Sequence, residues 1–195
     1  LIGNLLGHFN YHPKIQKIGD YRSGMMDQYK VVFVVGGSDK TVWPVTVLRD
    51  ARARKSTLIW VGYGLDAFLG DREDRKRGLR LDGVKVISQF NKVVYHGVLL
   101  NKGGRMASLL TVTDQTRVKV DAEMLDPEGR RLPYMLHTGN LWLVADVPFA
   151  YIGEEDRYLA FCDLLHDMLG VNHAVSHKAM VRLEDVTPDD DAATV

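Results

Sequence analysis

The chain has 195 residues, 46% of them hydrophobic, and its 25 Lys and Arg balance its 25 Asp and Glu. That is apolar material for one well-buried domain, or one and a fraction, and it argues against disorder. Balanced charge sets up no overall field to recruit nucleic acid or an anionic membrane, runs such as VVFVV are too short to span a bilayer, and one cysteine, Cys162, excludes an internal disulfide framework and a multi-cysteine zinc site.

The sequence opens on LIGNLLGHF, which reads as the middle of a short helix, and we expect both ends to be cuts. KIQKI (Lys14–Ile18) reads as a short strand, RSGMMDQYK as a weak helix and VVFVVGG (Val31–Gly37) as a buried strand closed by two glycines. Trp43-Pro44 starts a helix, with Pro44 suited to its first turn and Arg49, Arg52, Arg54 and Lys55 on later turns. TLIWVGYG (Thr57–Gly64) is a second buried strand, followed by the helix-like LDAFLG. Continuous apolar strands alternating with helices predict a parallel sheet covered on both faces. The mixed charge run Asp71–Arg80 reads as a solvated connection, with a patch for phosphate or an acidic sugar as the alternative.

From about 83 to 147 the period changes to two. GVKVISQF, KVVYHGVLL, SLLTVTD, TRVKVDAEM and LWLVADV read as antiparallel strands, and Pro127 and Gly129 sit where a tight hairpin needs them. Gly153–Gly170 is the clearest helix. Tyr158, Phe161, Cys162, Leu165, Met168 and Leu169 fall on one stripe, acidic residues 154–156 sit at its positive end, and Gly170 caps it. This places Cys162 on the packed face, as a structural residue.

Three constellations bear on chemistry. Gly62 and Gly64 flank Tyr63 at a strand-to-helix junction, the position where α/β hydrolases and amidotransferases hold a Ser or Cys nucleophile. A tyrosine hydroxyl there has no evident activating partner, so a plain connection competes with a ligand-binding or catalytic elbow. His173 and His177 are four apart, as in zinc sites on helices, yet they follow a helix-ending glycine among β-branched residues and read as loop or packing histidines sooner than as a metal site. Finally, Ala179–Leu183 delivers Glu184 and Asp185 to the end of a strand. Such a pair is common in turns, and it can also divide labour between a general base and a metal ligand.

Taken together, NLLGHF, YKVVFVVGG, GNLWLVADVPFAYIGEEDRYLAFCDLLHDMLG and VRLEDVTP resemble an uncharacterised bacterial family of polysaccharide-deacetylase-like proteins, most specifically over 139–188. The resemblance implies a flavodoxin-like, class I glutamine amidotransferase-like α/β domain over 1–178, with a mainly parallel sheet and an antiparallel β-rich extension over about 83–147. Residues 179–195 would then be the first strand and start of a truncated deacetylase-type β/α barrel. It further implies Glu184 as the general base and Asp185 as a metal ligand in a longer protein, where zinc is the expected divalent metal; no cofactor is expected in this chain. Glu184 departs from the aspartate usual at that place, and His173 and His177 precede the strand, in the wrong order for the deacetylase's metal histidines.

The expectation is therefore a non-catalytic accessory domain that binds polysaccharide or cell-envelope glycan, or shapes the cleft of a metal-dependent carbohydrate deacetylase. The family resemblance places it at the cell envelope or outside the cell. Two other readings stand beside it. One is a hydrolase in its own right, acting from Gly62-Tyr63-Gly64 with His8 or His12. The other is a protein-interaction module whose strand Val94–Leu100 pairs with a partner.

Overall fold

The computed structural model describes residues 2–86, 90–103, 106–149 and 153–171, those at 71–76 and 82–86 in backbone only. A seven-stranded mixed sheet forms its centre, in the order β1-β2-β9-β8-β7-β4-β5. The strands are β1 (Val31–Gly36), β2 (Thr57–Gly62), β4 (Lys92–Tyr95), β5 (Val98–Asn101), β7 (Lys119–Leu125), β8 (Arg131–Thr138) and β9 (Leu141–Val144). Two further strands, β3 (Leu79–Val86) and β6 (Met106–Val112), pair antiparallel as a separate ribbon. The helices are α1 (Ile2–Gly7), α2 (Val45–Ala53), α3 (Leu65–Lys76, broken at Gly70) and α4 (Tyr158–Leu169).

This architecture overturns the flavodoxin-like, mainly parallel sheet expected from the sequence. The pairs β1/β2 and β2/β9 are parallel, and the other four neighbour pairs are antiparallel. The strands expected as an extension instead supply the larger half of the main sheet. The cause lies at β9, four residues whose side chains are all buried. It folds back on β8 across Gly139-Asn140 and so arrives parallel to β2, fusing the period-two strands to the continuous apolar ones.

Burial explains the composition of each strand. Central β2 and β9 are covered on both faces and, Thr57 aside, carry no polar side chain. One face carries Ile59, Val61, Trp142 and Val144 against Phe161, Leu164, Leu165 and Met168 of α4. The other carries Leu58, Trp60, Leu141 and Leu143 against Val47 and Ala51 of α2 and Phe68 and Leu69 of α3, with Leu79 and Leu110 of the ribbon.

Four local expectations change as well. Lys14–Ile18 is not a strand, and Met25–Gln28 is a single 3₁₀ turn. The stretch 92–101 is two strands, because His96 (φ 46°) and Gly97 (φ 80°) both take left-handed backbone and close a two-residue hairpin. The helix expected from Gly153 begins at Tyr158, since Asp156 leaves the helical path to enter the protein interior.

Candidate functional site at the carboxyl ends of the parallel strands

In open sheets, ligands bind beyond the carboxyl ends of parallel strands. Here three such ends, those of β1, β2 and β9, lie side by side. Gly36 and Gly62 are paired in register, and Tyr63 donates its amide to the Gly36 carbonyl at 3.0 Å. Both glycines are required. A Cβ at Gly36 would overlap the Tyr63 carbonyl, and one at Gly62 would sit 2.6 Å from the Gly36 oxygen and 2.7 Å from Val147 Cγ2.

The expected elbow exists, but it is closed. Gly62 (φ 81°) and Gly64 (φ 88°) turn the chain tightly around Tyr63. The indole of Trp43 packs directly on Gly64, so that a Cβ there would overlap the ring. Trp43 in turn leans on Trp60 (4.8 Å between centroids), and Trp60 stacks on Phe68 (4.6 Å). Trp60 Nε1 donates to the Tyr63 carbonyl at 2.9 Å. An oxyanion hole needs free backbone donors facing an open site, and here the elbow's mouth is filled by an aromatic stack. Of the histidines expected beside Tyr63, His12 lines a groove beside β1 to which Tyr63 does not contribute.

Beyond β9 stands a cluster the sequence reading did not assemble. Asp146, two residues past the strand, accepts the Tyr134 hydroxyl (2.5 Å) and both Arg157 Nε contacts (3.2 and 3.0 Å), and pairs with Lys102 Nζ at 3.3 Å. Arg157 Nη1 reaches both oxygens of Asp156 at 3.0 Å, and Nη2 donates to the Val147 carbonyl at 3.3 Å. Asp156 Oδ1 also accepts the amide of Tyr158, the first residue of α4. Lys102, Asp146, Asp156 and Arg157 are all buried. Two cations meet two carboxylates, which lets the group remain charged without a net buried charge.

Burial pulls the Lys102 ammonium below its usual range, and the Asp146 carboxylate only partly offsets this. Burial and the same carboxylate push the Tyr134 phenol well up. For Arg157 burial acts downward, but Tyr134 and Asp146 outweigh it and hold the guanidinium above its usual range. Both oxygens of Asp146 are occupied, so it is no poised general base. The cluster is a clamp that ties the ends of β5 and β9 to the start of α4. The available sequence signal was a lone charge directly after an apolar strand, as in VLLNK and LWLVAD.

A second missed pair lies on the sheet. Asp121 is the extra residue of a bulge in β7, and its carboxylate lies 2.7 Å from His137 Nδ1. His137 stacks on Trp142 of the neighbouring strand at 4.2 Å, and Lys119 Nζ lies 3.1 Å from the other Asp121 oxygen. The carboxylate orients the imidazole as in acid–base dyads, but no Ser, Thr or Cys side chain bonds to His137 among the described residues.

Cys162 stands at the margin of the α4 stripe rather than within it, and is half-buried. Among the described residues no three His, Cys, Asp or Glu side chains group as metal ligands, and no helix is long and apolar enough to cross a membrane. Glu184, Asp185, His173, His177 and the strand 179–186 lie outside the described residues.

No family model matches the chain, and neither does any curated protein. Among solved structures, it is similar to a β-galactosidase from the psychrophilic Marinomonas ef1 (12% identity, TM-score 0.44, 74% of this chain and 21% of that one). It is also similar to the cold-adapted β-galactosidase of Rahnella sp. R3 (10%, 0.46, 75% and 23%). A third is the exo-β-1,4-mannosidase Op5Man5 from Opitutaceae bacterium strain TAV5 (13%, 0.46, 86% and 28%). The chain thus spans between 21% and 28% of the length of these proteins.

Proposed function

We propose that this chain is a non-catalytic accessory module of a carbohydrate-acting protein of the polysaccharide-deacetylase-like kind, and serves it by binding glycan or shaping its cleft. The observation that carries the non-catalytic part is the closed elbow: Tyr63 replaces a nucleophile, and Trp43 occupies the space above Gly64. The saturated Asp146 clamp supports the same reading, because its groups hold loops together and leave no free base. The glycan part rests on the sequence resemblance, as do the roles of Glu184 as base and Asp185 as zinc ligand in a longer protein.

The test has two arms on the purified chain. Ester and amide hydrolysis, and acetate release from acetylated glycans, are expected to stay at the buffer rate. Calorimetry against chito-, manno- and galacto-oligosaccharides is expected to show saturable binding of one class. Turnover abolished by Tyr63→Phe would overturn the non-catalytic reading, and no binding to any glycan class would overturn the glycan one.

A further inference from the structure

Among the described residues, one edge of the sheet is left undefended. There β1 has only β2 as a neighbour, and VVFVVG contains none of the Pro or Lys that blunt exposed strand edges. A groove of ≈ 680 Å³ runs along it, with Val31–Val35 on one side and the irregular segment 11–18 on the other. Its walls are mostly apolar, and Ile15 on the far side is 74% exposed. Its charged lining is of one sign: Lys14, Lys17 and Lys30, with His12, and no Asp or Glu.

The opposite edge is not equivalent. Val94–Leu100, expected as an exposed pairing strand, is a hairpin, and beyond it Asn101 at the end of β5 is already bonded to Glu155 and Arg157.

We propose that the β1 edge receives an extended peptide strand from another protein, whose apolar side chains enter the groove and whose carboxylates meet Lys14, Lys17 and Lys30. A strand laid on an edge gains main-chain hydrogen bonds, and the pockets beside that edge select alternate side chains. The charge pattern decides between occupants. A second copy of the chain would bring three lysines against three lysines, which repel, whereas an acidic strand is attracted.

The probe is a fluorescein-labelled eight-residue peptide alternating Val and Glu, titrated into the full chain by anisotropy, with a Val–Lys peptide as control. The Glu peptide is expected to bind about ten-fold tighter or more, with affinity falling as salt rises. Lys14→Glu/Lys17→Glu/Lys30→Glu, three exposed positions, is expected to reverse the preference, and Ile15→Asp to weaken both peptides. N-methylation of alternate peptide amides is expected to abolish binding, which separates strand pairing from loose adsorption. Hydrogen exchange of the outward β1 amides is expected to be fast in the free chain and slowed by the peptide. Equal binding of the two peptides, no binding, or indifference to the triple variant would overturn the proposal. So would outward β1 amides already protected in the free chain, since the edge would then be occupied by the protein itself.

Discussion

Arg157 and Asp146 face each other almost entirely out of water: guanidinium Nε lies 3.2 and 3.0 Å from the two carboxylate oxygens, with side chains 1% and 4% exposed. The same guanidinium holds Asp156 through Nη1 and the Val147 carbonyl through Nη2, so one side chain serves three partners. A planar fork does this; a single ammonium does not.

Removing that fork is therefore expected to be severe. Arg157→Met leaves two carboxylates buried against one lysine and should cost about 3–5 kcal/mol. Arg157→Lys should recover little of it. The double variant Arg157→Met/Asp146→Asn should lose less than the sum of its single changes, because the second change removes a stranded charge. Urea unfolding of the unsubstituted chain, Arg157→Met, Arg157→Lys, Asp146→Asn and the double variant measures this, and a loss under about 1 kcal/mol for Arg157→Met would show the clamp to be dispensable.

At the elbow, shape rather than chemistry is under constraint. Gly64 combines φ 88° with an indole where a Cβ would stand. Gly64→Ala should thus cost about 2–4 kcal/mol, combining left-handed strain with displacement of Trp43. Tyr63→Phe, by contrast, should change stability by less than about 0.5 kcal/mol, since the turn is anchored through the Tyr63 backbone carbonyl and, among the described residues, by no bond from its hydroxyl. Thermal unfolding compares the two. Equal sensitivity would mean that the phenol has a role the packing does not reveal.

Several single elements were readable from the sequence, but their arrangement into a mixed sheet was not, and the misreadings have physical causes. VVFVVG and TLIWVG announce strands covered on both faces; they do pair in parallel, but only the second is buried along its length, and Val35 of the first is exposed. What no local pattern states is which strand comes next to β2. Four residues, LWLV, settle that, and a run so short carries no sign of parallel or antiparallel pairing. His96-Gly97 went unread because a non-glycine residue at φ 46° is an uncommon turn former, so two strands looked like one. The elbow was legible because glycines flank it, whereas its closure was not, since Trp43 reaches it from another loop. The clamp was invisible for the same reason: Lys102, Tyr134, Asp146 and Arg157 are remote in sequence and meet only in the folded chain.

Cys162 shows how partial burial governs reactivity. Burial raises its thiol pKa, and a hydrogen bond with Tyr158 only partly opposes that rise. Less thiolate is then present near neutrality than for a free cysteine, and the thiolate is the nucleophile. Alkylation of the native chain by iodoacetamide should be slow at pH 7.5, accelerate with pH later than for a free thiol, and become fast in denaturant. A native rate matching that of free cysteine would contradict the packing seen here.

The last prediction concerns pH and turns on Tyr21 and Asp50. Tyr21 donates its hydroxyl to Asp50 Oδ2 at 2.9 Å, and the Gly24 amide donates to the same oxygen at 2.7 Å. Burial pushes the Asp50 carboxyl upward, but the bonds from Gly24, Tyr21, Arg49 and Ser23 outweigh it and bring the pKa down from 3.8 to about 2. A folded-state value below the unfolded one means stability that is complete above pH 4 and lost as pH falls toward 2. Tyr21 behaves oppositely at the other end. Burial first, then the bond to Asp50, raises its phenol from 10.0 to about 12. The folded chain therefore favours the protonated phenol, and that contribution is present below pH 10 and lost as pH rises toward 12. Because Asp50 lies near the surface and is screened, its share should be about 1 kcal/mol rather than the full shift. Asp50→Asn should flatten the acid limb of stability against pH between 4 and 2, and Tyr21→Phe the alkaline limb between 10 and 12. Guanidinium unfolding across the pH range reads both limbs. An acid limb unchanged in Asp50→Asn would mean that another carboxylate carries the acid sensitivity.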